Sequence, residues 1–156
     1  MREVDWLAVE RYGITLMQMM EHAGKALADV ARQMLGGTVA GRRIFVASGR
    51  GNNGGGGLAS TRHLANWGAH VTALVERADA MAGKNAQHLS AARAAGVQVL
   101  EGSVALEAVA HDRPELFIDA LIGYGLTGAP RGWTAEVIRR GAAADLRTLS
   151  LDVPSG

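Results

Sequence analysis

The chain has no cysteine. That excludes disulfides, zinc–thiolate centres, iron–sulfur clusters and thiol nucleophiles. Aromatic residues make up only 4%, too few for a β-sandwich or barrel core or for a stacking surface along single-stranded nucleic acid. Neither sign of charge dominates: 16 basic residues against 15 acidic ones leave a net charge of +1. No electrostatic footprint for a polyanion follows, and nucleic acid is not an expected partner. No apolar run reaches the length of a membrane span, and Arg2, Glu3, Asp5, Glu10 and Arg11 are not the pattern of a signal peptide. A soluble, cytoplasmic protein with no membrane partner is expected. What the chain has in plenty is glycine, 21 in 156 residues, within an alanine-rich composition that is 48% hydrophobic. That share is ordinary for a globular domain, and the length fits one domain.

The segment from Met1 to Leu35 reads as helical. Met20, Ala23, Gly24, Leu27, Val30, Ala31, Met34 and Leu35 recur at steps of three and four, giving one apolar stripe. Gly13 divides this segment, Thr15 is the expected N-cap of its second helix, and Gly36 and Gly37 end it. Short apolar, β-branched runs then predict strands over 43–48, 70–75, 97–100, 116–122 and 146–153. Helices are expected over 58–67, over 85–95, and from Thr134 as cap to about 144, with a weak helical turn over 106–110. Strands alternating with helices imply a parallel sheet with right-handed crossovers and helices on both faces. Ligands of such sheets collect at the carboxyl ends of the strands. The loops over 49–57, 123–132 and 152–156 are therefore the candidate site. The last strand is followed directly by Pro154, Ser155 and Gly156, where a covering helix is usual. The expectation is one domain over 1–156, truncated at its C-terminus.

Gly49, Gly51 and Gly54 match the G-x-G-x-x-G pattern after a strand, and Glu76 lies where a dinucleotide fold places its ribose-binding acid. Against that match stand four consecutive glycines, Gly54 to Gly57. Each costs about 1 kcal/mol inside a helix relative to alanine. The helix is therefore expected to begin only after Gly57, leaving a long open loop whose backbone N–H groups could cradle a phosphate.

Four segments carry a resemblance. Gly51-Asn52-Asn53-Gly54-Gly55-Gly56-Gly57 resembles the G-N-N-G-G-D-G loop of the YjeF N-terminal domain family, the NAD(P)H-hydrate epimerases. Met20-Glu21-His22-Ala23-Gly24 is similar to its M-E-x-A-G. Asp119-Ala120-Leu121-Ile122-Gly123-Tyr124-Gly125 is similar to its D-A-(L/I)-x-G-x-G, and Asp152-Val153-Pro154-Ser155-Gly156 to its D-(I/V)-P-S-G. The resemblance implies a Rossmann-like three-layer α/β/α sandwich and interconversion of the R and S epimers of hydrated NADH and NADPH (NAD(P)HX), an isomerase acting in nicotinamide nucleotide repair. It implies potassium (K+), with Asn53, Asp119 and Ser155 as ligands. It implies substrate contacts from Asn52, Asn53, Gly54, Gly55 and Gly56, from Gly123, Tyr124, Gly125, Leu126, Thr127, Gly128 and Ala129, and from Asp152. An ADP/ATP-dependent NAD(P)H-hydrate dehydratase, fused or separate, is the implied partner, and a homodimer through the segment Val4–Met20 the implied assembly. Oxygen donors suit a hard monovalent cation. A carboxylate beside the reacting hydroxyl can move its proton in either direction, so Asp152 is the expected catalytic group.

The chain departs from the family pattern at Gly56, where the loop acid is expected. That departure admits a second expectation, a catalytically inactive ligand-binding or scaffolding module of the same fold. A third, an ordinary NAD-dependent oxidoreductase working through the fingerprint at Gly49, lacks a visible catalytic set.

Overall fold

The computed structural model describes residues 2–125 and 128–156. Two helices open the chain, α1 (Arg2–Glu10) and α2 (Leu16–Met34). Gly13 separates them at φ +66°, a left-handed conformation that glycine adopts without steric cost. Thr15 caps α2 as expected: its hydroxyl accepts from the Gln18 N–H at 3.2 Å, and the Gln18 side chain accepts from the Thr15 N–H at 2.8 Å. This reciprocal pair satisfies two otherwise orphaned donors.

Strands and helices then alternate: β1 (Arg43–Ser48), α3 (Asn52–Asn66), β2 (His70–Val75), α4 (Gly83–Ala94), β3 (Gln98–Glu101), α5 (Gly102–His111), β4 (Leu116–Ala120), α6 (Gly132–Ala143) and β5 (Thr148–Ser150). All strand pairs are parallel, in the order β3-β2-β1-β4-β5. The chain builds outward from β1 to β3, returns across the sheet, and builds outward again through β4 and β5. The order reverses between β1 and β4, where a ligand crevice opens in sheets of this kind.

Alternating residues of each strand feed two cores. Ile44, Val46, Val71, Ala73, Leu116 and Ile118 face α2, α3 and α4, where they meet Leu27, Ala31, Leu58, Leu64 and Leu89. Phe45, Ala47, Leu74 and Phe117 face α5 and α6, where they meet Ala105, Ala108, Val109 and Val137. The sheet is thus the middle of three layers, the Rossmann-like α/β/α sandwich expected.

Several element boundaries differ from expectation. Helix α3 begins at Asn52 rather than after Gly57. A Cβ at Gly55 would lie 2.6 Å from Asn85 Oδ1, one at Gly56 2.9 Å from Leu151 Cδ2, and one at Gly57 2.5 Å from Ala120 Cβ. These glycines let the first turns of α3 press onto neighbouring elements, and that packing outweighs their poor propensity. Strand β4 ends at Ala120 rather than Ile122, because the Leu121 N–H turns to Asp119 Oδ1 at 3.1 Å and the Ile122 N–H to Ser155 Oγ at 3.0 Å. Strand β5 is confined to 148–150, since Asp152 enters the left-handed region at φ +73°. Helix α6 starts at Gly132 with Arg131 as its N-cap, which places Thr134 inside the first turn. The weak turn expected over 106–110 is a full helix, α5, anchored by the buried Ala105, Ala108 and Val109.

His88 on α4 is 5% exposed, and its Nε2 has no hydrogen-bond partner. Burial holds its pKa below the ordinary 6.5, opposed by the charge of Glu21 and reinforced by that of Arg62. The unfolded chain therefore takes up this proton first. The stabilisation from neutral His88 is complete above pH 6.5 and declines as pH falls below it. His88→Leu is expected to flatten the fall in melting temperature between about pH 7 and pH 5. A fall as steep as in the wild type would mean that other groups govern this range.

Candidate active site

Three turns meet beyond the carboxyl ends of β1, β4 and β5. The first is the Gly49–Asn53 turn leading into α3. Asn85 of α4, 5% exposed, holds it in place by donating from Nδ2 to the carbonyls of Arg50 and Gly51, each at 2.9 Å. Asn85 was not among the sequence candidates. An asparagine within an alanine-rich helix was the only signal of its role.

The second and third turns are locked together by Asp119 and Ser155, 6% and 1% exposed. Asp119 Oδ1 accepts from Ser155 Oγ at 2.6 Å and from the Leu121 N–H. Asp119 Oδ2 accepts from the Ser155 N–H at 2.8 Å. The Leu151 N–H reaches the Asp119 carbonyl at 2.9 Å, and Asn53 Nδ2 donates to the Leu151 carbonyl at 3.2 Å. Asn53, Asp119 and Ser155 are thereby tied to one turn of backbone, two of them in direct contact and the third through Leu151.

Asp152 stands at the mouth of this arrangement. It is one of two described non-glycine residues with positive φ, a conformation costing roughly 1–3 kcal/mol that concentrates at functional sites. Its Oδ2 accepts from the Tyr124 N–H at 2.8 Å. A Cβ at Gly123 would lie 3.0 Å from this oxygen and 3.4 Å from Asn53 Cγ. Glycine at 123 is what lets Asp152 and Asn53 converge.

Two cavities adjoin these residues. One, of about 390 Å³, runs between Gly51–Asn53 and Leu121–Gly125. The other, of about 270 Å³, shares Asn52, Asn53 and Tyr124 and extends past Asp152 and Gly56 to an apolar wall of Leu16, Met19, Met20, Ala23 and Leu151. Of that wall, the apolar stripe read from the sequence holds only Met20 and Ala23. Gly54 and Gly55 lie behind the cavity surface, buried within α3. Gly128 and Ala129 are exposed beyond it. Leu126 and Thr127 lie outside the described residues.

The Met20–Gly24 motif holds α2 onto α3. A Cβ at Gly24 would meet the Gly56 carbonyl oxygen at 2.7 Å. Glu21 pairs with Arg62 and with His63 Nε2, the latter at 2.7 Å. Burial works to raise the Glu21 carboxyl, but the hydrogen bonds and charges of Arg62 and His63 outweigh it and hold the pKa below the ordinary carboxylate value. Among the described residues no three His, Cys, Asp or Glu side chains cluster as a metal site, and no helix is long and apolar enough to cross a membrane.

This arrangement has known counterparts. The chain is 44% identical over its whole length to an NAD(P)H-hydrate epimerase of Dehalogenimonas lykanthroporepellens, of which it spans 62%. It is 35% identical to the bifunctional NAD(P)H-hydrate repair enzyme Nnr of Moorella thermoacetica, of which it spans 30%. The chain therefore covers less than two thirds of either relative. The crystal structure of yeast YNL200c superposes with a TM-score of 0.86 at 25% identity, over 97% of this chain and 66% of that one. The family model described as YjeF-related protein N-terminus matches residues 16–156. That match takes in both helices of the α2–α3 clamp and all three turns of the site, and the chain belongs to this family.

Proposed function

We propose that this chain epimerises hydrated NADH and NADPH, interconverting the R and S forms at the hydroxyl-bearing ring carbon. The observation that carries this reading is the Asp152 carboxylate, presented from a left-handed residue on the wall of the 270 Å³ cavity and oriented by the Tyr124 N–H. The relatives' names support it. Epimerisation requires that the hydroxyl be lost or the ring opened, then re-formed on the other face. Asp152 takes and returns the proton in that exchange. Asn53 orients the substrate, and the apolar wall from α2 excludes water beside the ring. The N-terminus of α3 has no side-chain cap at Gly51. Its free N–H groups suit the substrate's phosphates.

The donor set fits potassium: Asn53, Asp119 and Ser155 are all oxygen donors and together carry a single formal negative charge. Oxygen donors with little charge suit a large monovalent cation. The ion, when bound, would supply positive charge near the substrate. Asp119, engaged on both oxygens by the Ser155 turn, positions that turn rather than transferring protons.

An ADP/ATP-dependent dehydratase, fused or separate, is the proposed partner, and the bifunctional relative supports it. Helix α1 leaves Val4 and Trp6 about 60% exposed, which supports self-association through this segment. The proposed location is the cytoplasm. Gly56 favours one second reading, a non-catalytic binding module, because a glycine forms the cavity wall where the family pattern has an acid.

Epimer exchange separates the two. Purified R-hydrate in potassium chloride is expected to yield the S epimer well above the uncatalysed rate, and more slowly when sodium replaces potassium. No acceleration by a chain that circular dichroism shows to be folded would favour the binding module. Equal rates in the two salts would remove potassium from the site.

A further inference from the structure

At the same edge of the sheet, on the other side of the Gly49–Asn53 turn, lies a separate crevice of about 210 Å³. Gly49, Arg50, Glu76, Leu121 and Trp133 line it, and neither of its charged residues takes part in the active site described above. We infer that this crevice seats the adenosine half of the dinucleotide, and that Glu76 selects an unphosphorylated ribose there. The inference rests on the reading that the ligand is a hydrated nicotinamide dinucleotide.

Position is the first argument. Leu121 is a wall both of this crevice and of the 390 Å³ cavity beside Tyr124. A ligand of two nucleotide halves can place one half on each side of the turn, its pyrophosphate crossing the uncapped start of α3.

Chemistry is the second. Glu76 directly follows β2, and its Oε2 pairs with Arg50 at 2.8 Å, both side chains about half exposed. The other carboxylate oxygen remains to accept from ribose hydroxyls. A 2′-phosphate placed there would set like charges against each other, and it could gain the Arg50 guanidinium only in competition with the Glu76 Oε2 already paired with it. Repulsion of the wrong ligand, more than attraction of the right one, then sets the preference. Trp133 is the third feature. Its indole N–H donates to the Gly102 carbonyl at 3.0 Å, which fixes an aromatic wall beside which a purine can lie.

The test uses ADP-ribose and 2′-phospho-ADP-ribose, which lack the nicotinamide, titrated calorimetrically into the chain and into Glu76→Gln. The wild type is expected to bind ADP-ribose roughly tenfold more tightly than its 2′-phosphate, and Glu76→Gln to narrow that ratio to about threefold or less. ADP-ribose should also change the tryptophan emission of the wild type but not of Trp133→Phe. Equal wild-type affinities, a ratio that Glu76→Gln leaves unmoved, or no binding of either ligand would overturn the inference. Its failure is separable from that of the epimerase reading. Epimer exchange without ADP-ribose discrimination sinks only the crevice assignment, whereas discrimination without exchange sinks only the catalytic one.

Discussion

Asp152→Asn is expected to slow epimer exchange by roughly 10²- to 10⁴-fold, the usual contribution of a positioned acid–base group, while leaving the fold intact. The substitution isolates the proton. An asparagine oxygen can still accept from the Tyr124 N–H that orients Asp152 Oδ2, and asparagine, like aspartate, tolerates the left-handed backbone that this position requires at φ +73°. The side chain is exposed, so no buried group loses a partner. Only the capacity to take up and return a proton is lost. The measurements are the initial rate of S-epimer formation from R-hydrate and the circular dichroism spectrum. Full turnover in the variant would remove Asp152 from proton transfer and leave it a positioning role. A collapsed spectrum would show instead that the carboxylate holds the turns together.

Gly54→Ala is expected to have the largest effect on stability. A Cβ at this position would fall on the carbonyl oxygen of Gly49, well inside van der Waals contact. That neighbour is backbone and cannot move aside like the end of a flexible side chain. Overpacking of this kind costs about 3 kcal/mol or more, a large part of the 5–15 kcal/mol available to a typical domain. A loss of ~3 kcal/mol corresponds to a fall of roughly 10 °C in melting temperature for a chain of this size. Gly51→Ala is the control. No atom lies within 4 Å of a Cβ there, and its φ of −84° suits any residue. As an N-cap its replacement should cost about 1 kcal/mol or less. Thermal melts of the two variants decide the matter. If they melt alike, the glycine run is a loop after all, and α3 does not start at Asn52.

The elements that were legible in the sequence are those whose signals are local. Thr15 capped α2 because a hydroxyl three residues ahead of a glutamine can close a capping box without help from the rest of the chain. The run from Leu116 is nearly continuous in apolar residues, the local pattern of a strand buried on both faces, as β4 is. The site segments were readable as motifs, and the three turns that carry Asn53, Asp119 and Asp152 do meet at one edge of the sheet.

Roles that depend on distant neighbours were not legible. A run of glycines carries the same local preference whether it is an open loop or a helix pressed against other backbone. Only the approach of Gly49, Met20, Leu151 and Ala120 to Gly54–Gly57 decides between them, and it decides against propensity. Asn85 likewise gives no local sign that its amide clasps a turn 34 and 35 residues earlier. Strand ends behaved the same way, because β4 stops where Asp119 and Ser155 draw away the next two N–H groups. Composition, periodicity and capping settled which elements form and in what order. Where helix α3 begins, where the last two strands end and what lines the cavity were settled by contacts between segments far apart in the chain. Those contacts outweigh the propensity terms, each at most about 1 kcal/mol per residue for all but proline, whenever backbone must approach backbone.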